Sequence, residues 1–168
     1  MATETLITPE QYLRMAFGDA DAELVDGRIV ERNVGENEHS CVQFRLGLLF
    51  HELAQKHPLH IRPELRLRVS ATRFRVADLA VFLGARPTES VPATPPLVVA
   101  EIVSPDDRYT EIVSKLEDYR KWGVRHIWLI DPWSHKLHRY DETGLHEVTS
   151  LDVPELGLDF TPGTLFEQ

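Results

Sequence analysis

An acidic residue inside a buried strand constrains this chain more than any other feature of its sequence. Residues 96–105 form an aliphatic run with several β-branched members and a proline near each end, which is typical of a strand covered on both faces of a sheet. Glu101 lies in the middle of this run. Because burial of an unpaired carboxylate is costly, Glu101 requires a cation, a protonated neighbour or a strand end near water.

A second acidic residue is placed in the same way. Asp78 interrupts the apolar stretch 74–82, which is also predicted to be a strand. Two lone carboxylates on neighbouring buried strands would form an oxygen-rich site, and Mg²⁺ or Mn²⁺ prefers such ligands. We therefore predict that Asp78 and Glu101 bind a metal ion, together with the backbone carbonyl of Ile102. The alternative is that each acid is ion-paired with a buried lysine or arginine.

The helix predicted at residues 110–122 brings a lysine towards these acids. At about 100° per residue, Ile112, Leu116 and Tyr119 share one face of this helix. Lys115 falls inside that apolar face, on the side that packs against the sheet. Its ammonium group could orient an attacking water or neutralise charge that develops on a phosphate. Alternatively, the long side chain extends along the helix to solvent.

Length and composition predict one domain spanning residues 1–168. Cys41 is the only cysteine, which excludes thiolate zinc clusters and fits a reducing, cytoplasmic compartment. Residues 1–5 do not resemble the start of a signal peptide. No apolar run approaches the roughly 20 residues of a membrane helix, so we expect no membrane association.

The net charge of −9 argues against binding of nucleic acid through bulk charge. A local basic face is nevertheless predicted between residues 61 and 75, where one glutamate opposes five arginines. These are Arg62, Arg66, Arg68, Arg73 and Arg75. This face could contact DNA, or it could be a solvated sheet edge.

The order of the remaining elements predicts a mixed α/β fold. A capping box at Thr8 begins a first helix, Asp26-Gly27 predicts a tight hairpin, and a long helix is expected from residue 37 or 38 to about Lys56. A helix between the strands at Glu101 and Ile127 implies a right-handed parallel crossover. The expected sheet is mixed and twisted, with helices on its faces, a second hairpin around residues 143–144, and a tail that packs back.

Several segments together resemble the PD-(D/E)xK nuclease superfamily and, more narrowly, the bacterial Uma family of endonucleases, also catalogued as domain of unknown function 820 (DUF820). The similarity covers nearly the full length, and the last three segments together are quite specific. The matching segments are residues 22–27, His39, residues 75–81, residues 97–105, residues 115–119 with Gly123-Val124, and residues 127–132.

The resemblance implies a restriction-endonuclease-like fold with an α-β-β-β-α-β core. It implies a magnesium-dependent hydrolase of DNA phosphodiester bonds, acting as a dimer. Lys115 then matches the catalytic lysine, and Glu23 matches an acidic position that assists it. The plain alternative for Glu23 is a cross-strand pair with Arg28. His39 would lie near the site or cap its helix.

Two positions depart from the superfamily pattern. Ala77 replaces the proline before the aspartate, and Val103 occupies the position of the usual lysine two residues after Glu101. The resemblance implies that this lysine has moved to the following helix, at Lys115. The alternative function is a nuclease fold kept as a binding or assembly module without catalysis, which Val103 and the net charge both favour.

Overall fold

The structure is a computed structural model that describes residues 6–17 and 21–166. Residues 1–5, and most of a turn predicted at residues 18–21, lie outside the described residues. The elements are α1 (Pro9–Arg14), β1 (Ala22–Val25), β2 (Arg28–Glu31), α2 (Asn37–Leu53), β3 (Leu59–Arg68), β4 (Arg73–Leu83), β5 (Val98–Ile102), α3 (Tyr109–Trp122), β6 (His126–Asp131), β7 (Lys136–Asp141), β8 (Gly144–Val148), β9 (Leu151–Val153), β10 (Leu158–Phe160) and α4 (Pro162–Phe166).

One mixed sheet organises the fold, in the order β2-β1-β4-β5-β6-β7-β8, with β3 paired to β4. Strands β5 and β6 are parallel and are joined by α3, while the other pairs in this sheet are antiparallel. This arrangement confirms the predicted mixed sheet with its crossover helix. It also sets Asp78 of β4 and Glu101 of β5 on adjacent strands.

Local sequence signals explain where several elements begin and end. Thr8 and Gln11 form the predicted capping box, and Asp26 and Gly27 adopt φ angles of 50° and 86° in the first hairpin. Gly123 ends α3 in a left-handed conformation, with φ of 106°. The predicted end of α2 at Lys56 was wrong, because its last residues tighten into i→i−3 bonds and the regular helix ends at Leu53.

Helices cover both faces of the sheet. Residues Val42, Leu46 and Phe50 of α2 pack into one buried cluster with alternate residues of the central strands, and the predicted tail joins it through Leu156, Phe160 and Leu165. Leu116 and Tyr119 of α3 pack into a second cluster on the opposite face. None of the described helices combines the length and apolar character that crossing a bilayer requires.

The alternation of side chains between the two faces of the sheet is interrupted in the middle of the β3–β4 ladder. Leu59 and Ile61 pack with the α2 cluster, whereas Leu65 and Leu67 pack with the α3 cluster, although all four are odd-numbered. The change occurs at Glu64, which has a left-handed φ of 47°. Glu64 and Asp78 both lie between the paired positions Pro63–Leu79 and Leu65–Ala77 of the ladder. Asp78 therefore stands where the regular pleat is broken, within reach of residues from both helices.

The prediction of one basic face was wrong. Arg75 is buried with 5% exposure, and both Arg73 and Arg75 bind Asp118 of α3. Arg66 instead lies over the ring of Tyr12. Alternation along paired strands sends these side chains in different directions, so the five arginines cannot form a single exposed surface.

Candidate active site

A cavity of about 300 Å³ brings together every residue that the sequence singled out for the site. Strands supply most of the acids, and α2 and α3 supply His39 and Lys115. Among its lining residues are Glu23, His39, Asp78, Glu101, Ile102 and Lys115. The cavity reaches the surface beside Arg108, whose side chain is 79% exposed.

Asp78 is fully enclosed by donors. Its Oδ1 accepts a hydrogen bond from Arg32 at 2.6 Å, and its Oδ2 accepts one from the Ile102 amide at 2.7 Å and lies 3.2 Å from His39 Nε2. Although burial opposes this, the His39 bond and the charges of Lys115 and Arg32 lower the pKa of Asp78. Asp78 is therefore ionised at neutral pH.

Asp78 also raises the pKa of His39, through the hydrogen bond and its charge, although burial opposes this change. The Ile102 amide is the group that contacts Asp78, so the role predicted for the Ile102 carbonyl stays a prediction. His39 lies in the first turn of α2 and faces the site.

Glu101 has fewer charged partners than Asp78. Its Oε2 lies 2.7 Å from Lys115 Nζ, and its Oε1 accepts a hydrogen bond from the Tyr119 hydroxyl at 2.7 Å. Burial raises the pKa of Glu101 to about 7, against the effect of Lys115, and the neighbouring Asp78 carboxylate adds to the rise. Glu101 is thus poised to gain or lose a proton near neutrality, and an additional cation would favour its ionised form.

Lys115 is held by three protein acceptors. Besides Glu101, its Nζ lies 2.8 Å from the Val76 carbonyl and 3.0 Å from Oε1 of Glu23. Although burial opposes it, the charges of Glu101 and Glu23 raise the pKa of Lys115. An ammonium group has three N–H donors. Two of them bond to Val76 and Glu101, and the Glu23 carboxylate lies within ion-pair distance. Release of a protein acceptor would free a donor for a water or phosphate.

Glu23 belongs to a buried ion network rather than to an exposed hairpin pair. Its register partner is Val30, and its carboxylate accepts hydrogen bonds from Arg75 at 2.8 Å and from the Val76 amide at 2.9 Å. Arg75 also binds Asp118 of α3. Although burial opposes it, Lys115 and Arg75 lower the pKa of Glu23. The network fixes Glu23 as an anion beside Lys115.

Several residues of the site cannot be recognised from the sequence. Neither Arg32 nor Glu64 belongs to a sequence motif. Only Arg32 has a weak signal, since it is a charged residue at the end of a hairpin at the edge of the sheet. Tyr119 was assigned to the apolar face of α3, and its hydroxyl can be placed on Glu101 only when the helix position is known. Asp118 follows Glu117 in an ordinary surface-like pattern, yet it is 6% exposed.

Val103, which occupies the position of the usual superfamily lysine, lies close to the side from which Lys115 approaches Glu101. Val103 lies on the same side of its strand as Glu101 and packs against the apolar cluster beneath α3. Lys115 of α3 reaches Glu101 from that same side. A lysine on the helix and a lysine at position 103 would therefore approach Glu101 from similar directions.

The chemistry of the donors fits a hard divalent cation in part. Within residues 6–17 and 21–166, no group of three or more histidine, cysteine, aspartate and glutamate side chains is arranged to hold a metal ion. Magnesium, however, is often bound by one or two carboxylates, with waters and substrate phosphates completing its shell. A carboxylate offers about four acceptor positions, so Glu101 with two bonds and Asp78 with three retain capacity.

Comparisons with known proteins agree with the fold. A crystal structure described as that of a putative nuclease belonging to DUF820 from Anabaena variabilis superposes with a TM-score of 0.84 at 21% sequence identity, covering 95% of this chain and 97% of that chain. Curated proteins gave no match. The model of the Uma2 family, described as "Putative restriction endonuclease", matches residues 9–164. The chain therefore belongs to the Uma2 family of the restriction-endonuclease type.

Proposed function

We propose that this protein is a divalent-metal-dependent endonuclease that hydrolyses DNA phosphodiester bonds, with Mg²⁺ or Mn²⁺ as its cofactor. One observation carries the proposal: Asp78 and Glu101, on adjacent strands, share a cavity with the ammonium group of Lys115. The Uma2 family and its description support the class of reaction.

In this proposal Asp78 and Glu101 hold the ion, with the Ile102 carbonyl as a further ligand. The bound ion would supply positive charge to the phosphate and lower the pKa of a water. Lys115 remains protonated, so it acts as a donor and cannot be the base. With Glu101 holding the ion, the Lys115 N–H that now bonds to Glu101 would be available to position the attacking water or to stabilise the phosphate. Glu23 assists by keeping Lys115 charged and in place.

The overall reaction needs no further reactant. The oxygen of the water forms a bond to phosphorus as one P–O ester bond breaks. The attacking water gives up one proton to solvent, and the leaving oxygen takes one proton from solvent. Substrate would approach from the side of Arg108, where the cavity reaches the surface.

We also propose that the protein acts as a homodimer, because cleavage of both DNA strands requires two sites. We propose the cytoplasm as its location. Sedimentation velocity tests the dimer.

Cleavage of supercoiled plasmid and of single-stranded DNA, with Mg²⁺ or Mn²⁺, tests the function. Asp78→Asn keeps the shape of the side chain and removes its charge, so we expect cleavage to fall at least about 100-fold with an unchanged circular dichroism spectrum. Asp152→Asn, at an exposed position of β9, serves as the control and should cleave like the wild type. Equal cleavage by Asp78→Asn would refute the assignment.

A second candidate function is a nuclease fold that binds or assembles without catalysis. The observation that favours it is that protein acceptors already hold Lys115, two through hydrogen bonds and the third, Glu23, through an ion pair. In that case Asp78, Glu101 and Lys115 form a structural ion cluster. Calorimetry distinguishes the two functions, since the binding module should show no uptake of Mg²⁺ or Mn²⁺ at millimolar concentration.

A further inference from the structure

Arg32 binds Oδ1 of Asp78, one of the two carboxylate oxygens that could hold a metal ion. It follows directly after β2, and its side chain turns into the cavity with 15% exposure. One terminal nitrogen donates to Oδ1 of Asp78 at 2.6 Å. The other donates to the carboxylate of Glu64. Arg32 thus bridges the two acids across the β3–β4 ladder.

The other partners of Asp78 leave little room for rearrangement. Oδ2 is bound by the Ile102 amide, which belongs to the backbone of β5. It is also close to His39, which is anchored in α2 and packed beneath Gly35, where a Cβ atom would lie 2.7 Å from the His39 ring. Only Arg32, among these three, has a long side chain on an inter-element segment. Arg32 is therefore the cation that can move.

Glu64 is built to receive Arg32. Its φ of 47° is unusual for a residue with a side chain and persists only where the surroundings fix it. Gln43 of α2 supports this conformation, since its amide donates both to Glu64 at 2.7 Å and to the Asp78 carbonyl at 2.8 Å. The left-handed turn thereby holds a second carboxylate within reach of the same guanidinium.

The cavity as a whole favours cations. Acidic side chains around it outnumber lysines and arginines, so loss of one contact to Arg32 leaves a negative environment for an incoming ion. The acids are Asp21, Glu23, Glu31, Glu64, Asp78, Glu101, Asp107 and Glu111, and the cations are Arg32, Arg75, Arg108 and Lys115.

We propose that Arg32 is an internal counter-ion that competes with the divalent cation for Asp78. In the metal-free protein its guanidinium holds Oδ1 of Asp78. When the ion binds, Arg32 releases this oxygen and remains paired with Glu64, with Asp21 3.9 Å away. The inference rests on the proposed function, because it requires a divalent cation at Asp78, and it assigns to Arg32 and Glu64 roles that set the affinity for that ion.

Isothermal titration calorimetry with Mn²⁺ and Mg²⁺, without DNA, tests this inference. Arg32→Met removes the competing charge, so its metal affinity should rise roughly tenfold over the wild type. Arg32→Lys keeps the charge but cannot bridge both acids, and its affinity should lie between the two. Arg86→Met, which removes one positive charge from an exposed loop position, should bind metal within about twofold of the wild type.

Glu64→Gln provides an independent measurement. Without the Glu64 carboxylate, the released guanidinium loses its hydrogen-bonded partner and keeps only the more distant Asp21, so metal binding should weaken. The weakening should be several-fold greater when Arg32 is present than in the Arg32→Met background, because a double-mutant cycle isolates the coupling between the two residues. Thermal unfolding of each variant establishes that the variants titrated are folded.

The outcomes separate the inference from the proposed function. The inference is supported if Arg32→Met binds the metal more tightly and if Glu64→Gln weakens metal binding more when Arg32 is present than when it is absent. Equal or weaker binding by this variant, while the wild type binds metal, overturns the role of Arg32 and leaves the nuclease proposal standing. Absence of metal binding by the wild type and by every folded variant overturns both.

Discussion

The ammonium group of Lys115 lies 2.7 Å from the carboxylate of Glu101, although the residues are 14 positions apart and on different elements. A lysine two residues after the glutamate would leave the strand on the same side as Glu101, where Val103 now packs. The structure thus supplies the charge from the helix, while an apolar side chain fills position 103.

This geometry predicts that a lysine at position 103 can replace Lys115. Lys115→Met should reduce metal-dependent cleavage at least about 100-fold, because the positive charge beside Glu101 is lost. Adding Val103→Lys to that variant should raise its rate of plasmid cleavage at least about tenfold above that of Lys115→Met. The control is Val103→Lys alone, which should not exceed the wild-type rate. A double variant as inactive as Lys115→Met would show that position 103 cannot serve the site.

The hydroxyl of Tyr119 provides a second test. Tyr119→Phe removes the donor to Oε1 of buried Glu101, and an unsatisfied buried carboxylate oxygen costs about 1–3 kcal/mol. We expect the free energy of unfolding in urea at pH 8 to fall by about that amount. Tyr140→Phe removes a similar hydroxyl bond, to half-exposed Glu117, and should change it much less. Equal losses of stability in the two variants would show that burial of the acceptor carboxylate does not determine the cost of removing the tyrosine hydroxyl.

Much of the fold could be predicted from sequence, because local signals act over a few residues. The capping box at Thr8, the hairpin at Asp26-Gly27 and the left-handed Gly123 each depend on adjacent residues. The parallel crossover followed from two apolar strands with a helix between them. Lys115 was placed on the sheet side by helical periodicity alone.

The rest of the site depends on contacts between distant segments. The sequence predicts Arg75 on a basic face, whereas the structure buries it beside Asp118, 43 positions away. Glu64 reverses the alternation of β3 through a single left-handed residue, and no strand pattern reveals such a break. Arg32 reaches Asp78 from a segment with no regular structure. Long-range charge pairing of this kind is invisible to periodicity.

The buried network around Arg75 predicts a large loss of stability. Arg75→Met leaves Glu23 and Asp118 without one of their cations, and removal of one member of a buried ion pair costs about 3–5 kcal/mol. Arg125→Met breaks a comparable bond to Glu155 on the surface, where exposed pairs contribute less than about 1 kcal/mol. Urea denaturation compares the two variants, and similar losses would contradict the importance of burial here.

The raised pKa of Glu101 predicts a particular dependence of stability on pH. In the unfolded chain this carboxyl releases its proton near pH 4.5, whereas in the folded protein it does so near pH 7. Between these values the folded state binds more protons, so the contribution of Glu101 to the free energy of unfolding falls as pH rises. The total fall across this window is about 3 kcal/mol.

Glu101→Gln removes this titration while keeping a polar side chain opposite Lys115, Tyr119, Asp78 and Arg32. The free energy of unfolding of the variant minus that of the wild type should therefore increase by about 3 kcal/mol from pH 4.5 to 7.5 in the absence of metal, as measured by urea denaturation. For Glu155, whose pKa is lowered to about 2 mainly by its bond to Arg125, the sign is opposite and the change falls below pH 4.5. Glu155→Gln should thus show a flat difference over the same range. A flat difference for Glu101→Gln would mean that the pKa of Glu101 is not raised in the folded protein and that Glu101 is ionised across this range.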